Sequence, residues 1–165
     1  MLRIGLLSDT HAYIHPKVFD FFNEVDEIWH AGDIGNLETA EQLADFKPLY
    51  SVYGNIDGHE LRASLPEKRL FKRENLPIFM THIGGYPGRY SKGIKELLIK
   101  NKIKLFISGH SHILKVVNDK KLNLLHINPG AAGKNGLHKV ITFVRFNIEN
   151  DRISDLEIME IERST

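Results

Sequence analysis

The sequence contains no cysteine, which removes disulfides, thiolate zinc sites, iron–sulfur clusters and a cysteine nucleophile together. It has no surplus of either charge. Lys and Arg number 22 against 21 Asp and Glu, for a net +1, so the basic excess of a dedicated nucleic-acid platform is missing. No apolar run approaches a membrane span, and Ser8 and Asp9 interrupt the apolar residues 1–7 too early for a signal segment. Repeats, low-complexity tracts and Gly/Ser linkers are missing as well, so nothing marks an internal boundary. The expectation is a soluble, cytoplasmic chain with one domain spanning 1–165 and no membrane partner. A chain of 165 residues with 42% apolar and 26% charged residues can bury about 70% of its unfolded surface, enough for a core without staples. What is abundant is histidine, nine in all. A metal held by this chain must therefore use imidazole, carboxylate and amide ligands.

The first two-thirds of the chain alternates short apolar runs with helical spacing, the pattern of an α/β layer architecture. Residues 2–7 read as a buried strand. Residues 16–25 carry Val18, Phe19, Phe22 and Val25 at helical spacing, with Pro16 near the first turn. A strand over 27–31, a capped helix over 36–46 and a strand over 49–53 follow. Residues 70–72 and 77–81 flank the turn-like Arg73-Glu74-Asn75 and predict a hairpin. Residues 91–101 form a helix with Ile94, Leu97 and Leu98 on one face and lysines around the other, a solvated face rather than a nucleic-acid platform. After a strand over 104–108 only strands remain, over 114–118, 122–127, 139–148 and 153–161. The sum is a mixed sheet pair covered by helices.

Five apolar runs end in the same manner, at Asp9, Asp33, Asn55, His82 and His110. Ligands of open α/β sheets collect outside the carboxyl ends of the strands, so these side chains converge on one rim although about a hundred residues separate the first from the last. Glycine precedes Asp33, Asn55 and His110, permitting a sharp turn and a close backbone approach. Each fragment alone has an ordinary explanation: a turn, a surface histidine, a satisfied core histidine. The run Gly109-His110-Ser111-His112 is sharper, since this composition produces such a run by chance about 0.04 times per chain. Histidines at i and i+2 in a loop can address two neighbouring ions. A rim of His, Asp and Asn is a candidate metal site.

The ordered series Asp9 and His11, Gly32-Asp33, Gly54-Asn55, Thr81-His82, and Gly109-His110 with His112 resembles the calcineurin-like metallophosphoesterase superfamily, and Asn128-Pro129-Gly130 looks like its late loop. The resemblance implies a four-layer αββα sandwich, two mixed β-sheets flanked by helices. It implies two divalent ions: Asp9, His11, Asp33 and His112 on one, and Asp33 as bridge with Asn55, His82 and His110 on the other. Nitrogen and oxygen ligands without sulfur suit manganese first, and nickel, iron or zinc as alternatives. Two ions about 3.5–4 Å apart polarise phosphoryl oxygens and generate a bridging hydroxide aligned for in-line attack on phosphorus. Asp33 and Asn55 are accordingly catalytic as well as ligating.

Many members carry a histidine directly after the asparagine; here Ile56 occupies that position and can neither donate a proton nor hold a phosphoryl oxygen. General-acid catalysis of about 10²–10⁴ in rate must then come from elsewhere, with His59 as the candidate. The departure, with Asp57 next, looks like the small single-domain phosphodiesterase branch and implies a small or nucleotide-type phosphodiester as substrate. A phosphomonoesterase or nuclease has the same site with different pocket walls. A retromer subunit that resembles this branch serves as an interaction scaffold, which makes a non-catalytic platform the different-class alternative. A homodimer rests on family analogy alone. His30 is expected to orient the bridging ligand, and His15, His126 and His138 to be ordinary surface or strand residues. Tyr86, Arg89 and Lys92, in a Gly/Pro-rich loop after His82, are candidates for holding the second substituent of the phosphate.

Overall fold

The computed structural model describes residues 1–164. In chain order its elements are β1 (Leu2–Leu7), α1 (Lys17–Phe21), β2 (Glu27–His30), α2 (Leu37–Phe46), β3 (Leu49–Ser51) and α3 (His59–Ser64). Next come β4 (Lys68–Arg73), β5 (Leu76–Thr81), the short ribbon of β6 (Gly85–Tyr86) and β7 (Arg89–Tyr90), and α4 (Ile94–Lys100). The rest is strand: β8 (Leu105–Ile107), β9 (Leu114–Asp119), β10 (Leu124–Pro129), β11 (Val140–Glu149) and β12 (Arg152–Glu162).

Two five-stranded sheets result, ordered β12-β11-β1-β2-β3 and β4-β5-β8-β10-β9. Both are mixed. In the first, β1, β2 and β3 run parallel and β11 and β12 return antiparallel. In the second, β5, β8 and β10 run parallel between the antiparallel edges β4 and β9.

The layering follows from the period of two along each strand. Ile4 and Leu6 of β1, Trp29 of β2, Ile78 and Met80 of β5, Leu105 and Ile107 of β8, and Val144 and Phe146 of β11 meet in the cluster between the sheets. The residues that alternate with them along each strand face outward. Leu7, Ile28 and Phe143 pack under Val18, Phe21 and Phe22 and under Leu43 of α2. Phe79 and Phe106 pack under Ile94 and Leu98 of α4. Helix, sheet, sheet, helix is the stacking order, as the family resemblance implied, and each fully buried large apolar side chain contributes roughly 1.5–3 kcal/mol relative to exposure.

The differences from the sequence expectations have local causes. The helix expected over 16–25 stops at Phe21, and Phe22 and Val25 reach the core from the turns that follow. The helix expected from 91 begins at Ile94, because Gly93 takes a left-handed φ of 83° and the preceding residues form a turn. The strand expected from 122 begins at Leu124, since the Asp119 carboxylate accepts the N–H groups of Lys121 and Leu122 and holds them in a tight turn. The α3 helix and the β6–β7 ribbon were not legible; in α3 only Leu61 is buried, so it carries no apolar repeat.

Candidate metal centre

The parallel strands of both sheets point their carboxyl ends at one rim. Asp9, Asp33 and Asn55 follow β1, β2 and β3 of the first sheet, and His82 and His110 follow β5 and β8 of the second. Two groups of ligand atoms form there, Asp9 with His11 and His112, and Asp33 with His82 and His110, each group lying within 4.8 Å. The Asp33 Oδ2 faces both, at 3.2 Å from His82 Nε2 and 3.6 Å from His11 Nε2. Asp9 Oδ1 lies 3.2 Å from His112 Nε2, 3.8 Å from His82 Nε2 and 3.9 Å from His11 Nε2. Asn55 joins through its Oδ1, 3.1 Å from His110 Nδ1.

Three of the candidate ligands are held by their other atom. The Asp9 Oδ2 accepts the Ser8 hydroxyl at 2.7 Å and the His110 N–H at 3.1 Å, which leaves Oδ1 to the centre. Asp33 Oδ1 accepts the Ile56 N–H at 3.0 Å, which leaves Oδ2. His82 donates Nδ1–H to the Ala31 carbonyl at 2.7 Å, so Nε2 presents its lone pair. The consequence is a buried convergence of lone pairs: Asp9 Oδ1, His11 Nε2 and His82 Nε2 have no hydrogen-bond partner. Buried unpaired acceptors cost about 1–3 kcal/mol each, and divalent cations convert that cost into ligation. The donor set, two carboxylates, imidazoles and an amide without sulfur, fits two divalent ions. The electrostatics agree. Burial pushes Asp9 up, but His112, His82 and Ser8 outweigh it and hold its carboxyl below the ordinary range. Asp33 is likewise held low against its burial by His82, the Ile56 N–H and His11. Burial opposes charge on His82, yet Asp33 and Asp9 prevail and raise it, the mark of a pocket that attracts positive charge.

The backbone is strained where the ligands sit. Asp9, His11, Asp33, His110 and His112 take left-handed conformations with φ between 47° and 72°, at roughly 1–3 kcal/mol each for residues other than glycine. Neighbouring loops enforce it: the N–H groups of Asp9, His11 and Ala12 donate to the carbonyls of Gly32, Asp33 and Ile34. All three glycines expected to allow close approach do so: a Cβ on Gly32, itself at φ 102°, would collide with the His82 ring. A Cβ on Gly54 would collide with the Asp33 carboxylate and N–H, and one on Gly109 with the Ser8 hydroxyl.

Several supporting residues were missed or undervalued in the sequence. Asp57 is buried, and its carboxylate accepts three backbone N–H groups, from Ile34 at 3.1 Å, Gly35 at 2.9 Å and Gly54 at 2.8 Å. It ties the loop after β2 to the loop after β3. The Asn128 amide donates to the Gly109 carbonyl and to Ser111 Oγ and accepts the Gly130 N–H, holding the loop that carries His110 and His112. His30, expected to orient the bridge, acts on its backbone: Nδ1 accepts the Gly32 N–H while Nε2–H bonds Thr10 Oγ1, itself a donor to Ile34. His138 packs edge-on against the His112 ring at 5.1 Å, so it is no bystander. His15 accepts the Lys17 N–H at the start of α1. His59 opens α3 and is exposed, outside both ligand groups. Tyr86 and Lys92 line clefts beside the ligands, whereas Arg89 lies in a separate surface groove.

Burial pushes the imidazoles of His30 and His126 down to about 4. The unfolded chain binds these protons near pH 6.5 and the folded chain does not until about pH 4. Stability therefore falls as pH drops through that window, by roughly 3 kcal/mol per group at its lower end. Urea midpoints measured from pH 7 to 4.5 are expected to decline steadily; a flat profile contradicts the neutral assignment.

Residues 2–151 match the calcineurin-like phosphoesterase superfamily domain. A probable metallophosphoesterase of Methanothermobacter thermautotrophicus is 32% identical over 137 residues, covering 79% of this chain and 77% of that protein. Another, of Methanocaldococcus jannaschii, is 34% identical over 136 residues, covering 79% and 68%. Among solved structures, Entamoeba histolytica Vps29 complexed with zinc superposes with a TM-score of 0.75 over 99% of this chain and 100% of that one, at 17% identity, a likeness of fold. Among the described residues no helix is long and apolar enough to cross a membrane.

Proposed function

The chain belongs to the calcineurin-like phosphoesterase superfamily, and from that premise we propose that it is a phosphodiesterase that uses two divalent ions, manganese first, on a small or nucleotide-type diester. The observation that carries the catalytic part is the convergence of candidate ligand atoms on one rim, with the other side-chain atoms of Asp9, Asp33 and His82 engaged elsewhere. Asp9, His11 and His112 would hold one ion and Asn55, His82 and His110 the other, with Asp33 shared through Oδ2. Ions in such a site supply Lewis-acid polarisation of a phosphoryl oxygen and a lowered pKa for the attacking water. The protein's part is orientation. Ser8, Ile56 and Ala31 hold the ligands so that no reorganisation is needed when substrate arrives.

The diester reading draws on the surroundings. Asn55 and His110 are exposed, so the cluster opens to solvent on their side. Two clefts flank it, one of about 280 Å³ beside Asn55 and His82 and one of about 230 Å³ beside His110, and Ile83 borders both. A phosphoryl group at the cluster has room for an ester arm on either side. Ile56 contributes only its N–H, so the leaving-group proton is assigned to His59 on the adjoining helix.

Hydrolysis of bis-p-nitrophenyl and p-nitrophenyl phosphate, with Mn²⁺, Ni²⁺, Mg²⁺ or Zn²⁺ restored after chelation, tests this. The diester is expected to turn over faster, and His59→Ala to lower kcat by about 10²-fold or more. Preference for the monoester overturns the diester reading, unchanged His59→Ala kinetics overturn the acid, and turnover of neither ester by metal-loaded protein points to a scaffold.

A further inference from the structure

The cleft beside His110 has an interior that the hydrolytic reading does not explain. It lies between the β6–β7 ribbon and the outer face of the second sheet. His126 and Asn128 of β10 and Lys115 of β9 share that face, Asn128 opposite Lys115, and Ile83, Gly84 and Tyr86 lie across them. His126 is buried to 1% exposure. Its Nδ1 lies 3.2 Å from the Phe106 carbonyl, an acceptor, so Nδ1 carries the proton. Nε2 is thereby left as a lone-pair acceptor, and it has no hydrogen-bond partner. Asn128 is fully engaged with Gly109, Ser111 and Gly130 and offers nothing further. The polar groups of the wall include the His126 acceptor and the Lys115 ammonium, which sits 3.4 Å over the Tyr86 ring, with the Ser91 and Ser111 hydroxyls beside them.

On the diesterase reading, we propose that this cleft is a specificity subsite for a planar, N–H-bearing ring on one ester arm of the substrate, a nucleobase. A base N–H satisfies the orphaned His126 acceptor. A neighbouring carbonyl of the base accepts from Lys115. The aromatic walls of Tyr86, His126 and His110 match a flat ring, and Gly84 lets the loop after β5 close onto Phe106 beneath it. His110 belongs both to this wall and to the ligand cluster, so a base seated here has its phosphate beside the metal centre. A site built around a buried acceptor discriminates strongly against analogues that cannot donate to it, because the acceptor is then left unpaired.

The probe is the p-nitrophenyl ester of thymidine 5′-phosphate, whose thymine N3–H is flanked by carbonyls, compared with bis-p-nitrophenyl phosphate, which has no N–H. Wild type is expected to prefer the thymidine ester in kcat/KM. His126→Phe keeps the ring packed on Phe106 and should cut that preference about tenfold through KM. Lys115→Met, on the cleft edge, should cut it several-fold and carries the test if the buried substitution disturbs folding. Thymidine 5′-monophosphate titrated into chelator-treated protein should bind about tenfold more weakly to His126→Phe than to wild type, a readout that needs no turnover. Equal losses on both esters, no change in preference, or failure of wild type to bind the monophosphate overturns the subsite. Nucleotide binding by a protein that hydrolyses neither diester sinks the diesterase reading and leaves the subsite standing.

Discussion

Asp33→Ala is expected to lower kcat/KM for metal-dependent phosphoester hydrolysis by about 10³-fold or more, at least roughly 4 kcal/mol of transition-state stabilisation. Its Oδ2 faces His11 of one ligand group and His82 of the other. No other residue's single atom replaces that shared position, since Asp9 Oδ1 is drawn to His112. Substitution therefore weakens both groups, and metal content of the purified protein should fall along with turnover. The fold should tolerate the change. The carboxylate sits on a left-handed residue among unpaired acceptors, and removing charge from such a cluster commonly stabilises a protein while it abolishes activity. Thermal unfolding in chelator is expected to show Asp33→Ala still cooperatively folded and within about 1–3 kcal/mol of wild type, the lost bond from the Ile56 N–H offsetting the strain and charge removed. Near-normal turnover would refute the assignment of the centre, and gross unfolding would refute the description of Asp33 as strained for function.

Asp57→Asn carries the largest effect on stability. The side chain is nearly fully buried, with Oδ2 accepting from Ile34 and Gly54 and Oδ1 from Gly35. Asparagine keeps the shape but offers one oxygen, and its NH₂ is forced against at least one backbone N–H. At about 1–3 kcal/mol for each buried donor left unpaired, the expected loss is about 2–5 kcal/mol, a large share of the 5–15 kcal/mol typical of a domain. Activity should fall as well, because Gly54 leads directly to Asn55 and Ile34 follows Asp33. Denaturant unfolding measures the first effect, and kinetics in the folded fraction the second. A change below about 1 kcal/mol would show that water replaces the lost acceptor.

Asp9, Asp33, Asn55, His82 and His110 were legible as one cluster because each lies within four residues of the carboxyl end of a strand, and an apolar run that gives way to Asp, Asn or His is visible without tertiary information. The layering was legible for a related reason: alternation along β1, β5 and β11 separates the inter-sheet cluster from the helix-facing one. Asp57 and Asn128 were visible only as family marks. Their work is to accept from and donate to backbone groups of distant loops, and that has no signature in residue type or spacing. His126 illustrates the same limit. Its neighbours in sequence are ordinary strand residues, and only the pairing of β10 with β8 shows that its Nδ1 is occupied and its Nε2 orphaned.

The carboxylates of the centre both come from the first sheet, and His82, His110 and His112 come from the second. Neither half of the sandwich owns a complete set of candidate ligands, so bound ions would act as a clasp across the seam. A slip of one sheet over the other, even one that leaves every local hydrogen bond intact, registers first as lost affinity for metal. Metal affinity is in this way a gauge of sheet alignment, and substitutions deep in the inter-sheet core, far from any ligand, should be detectable at the rim.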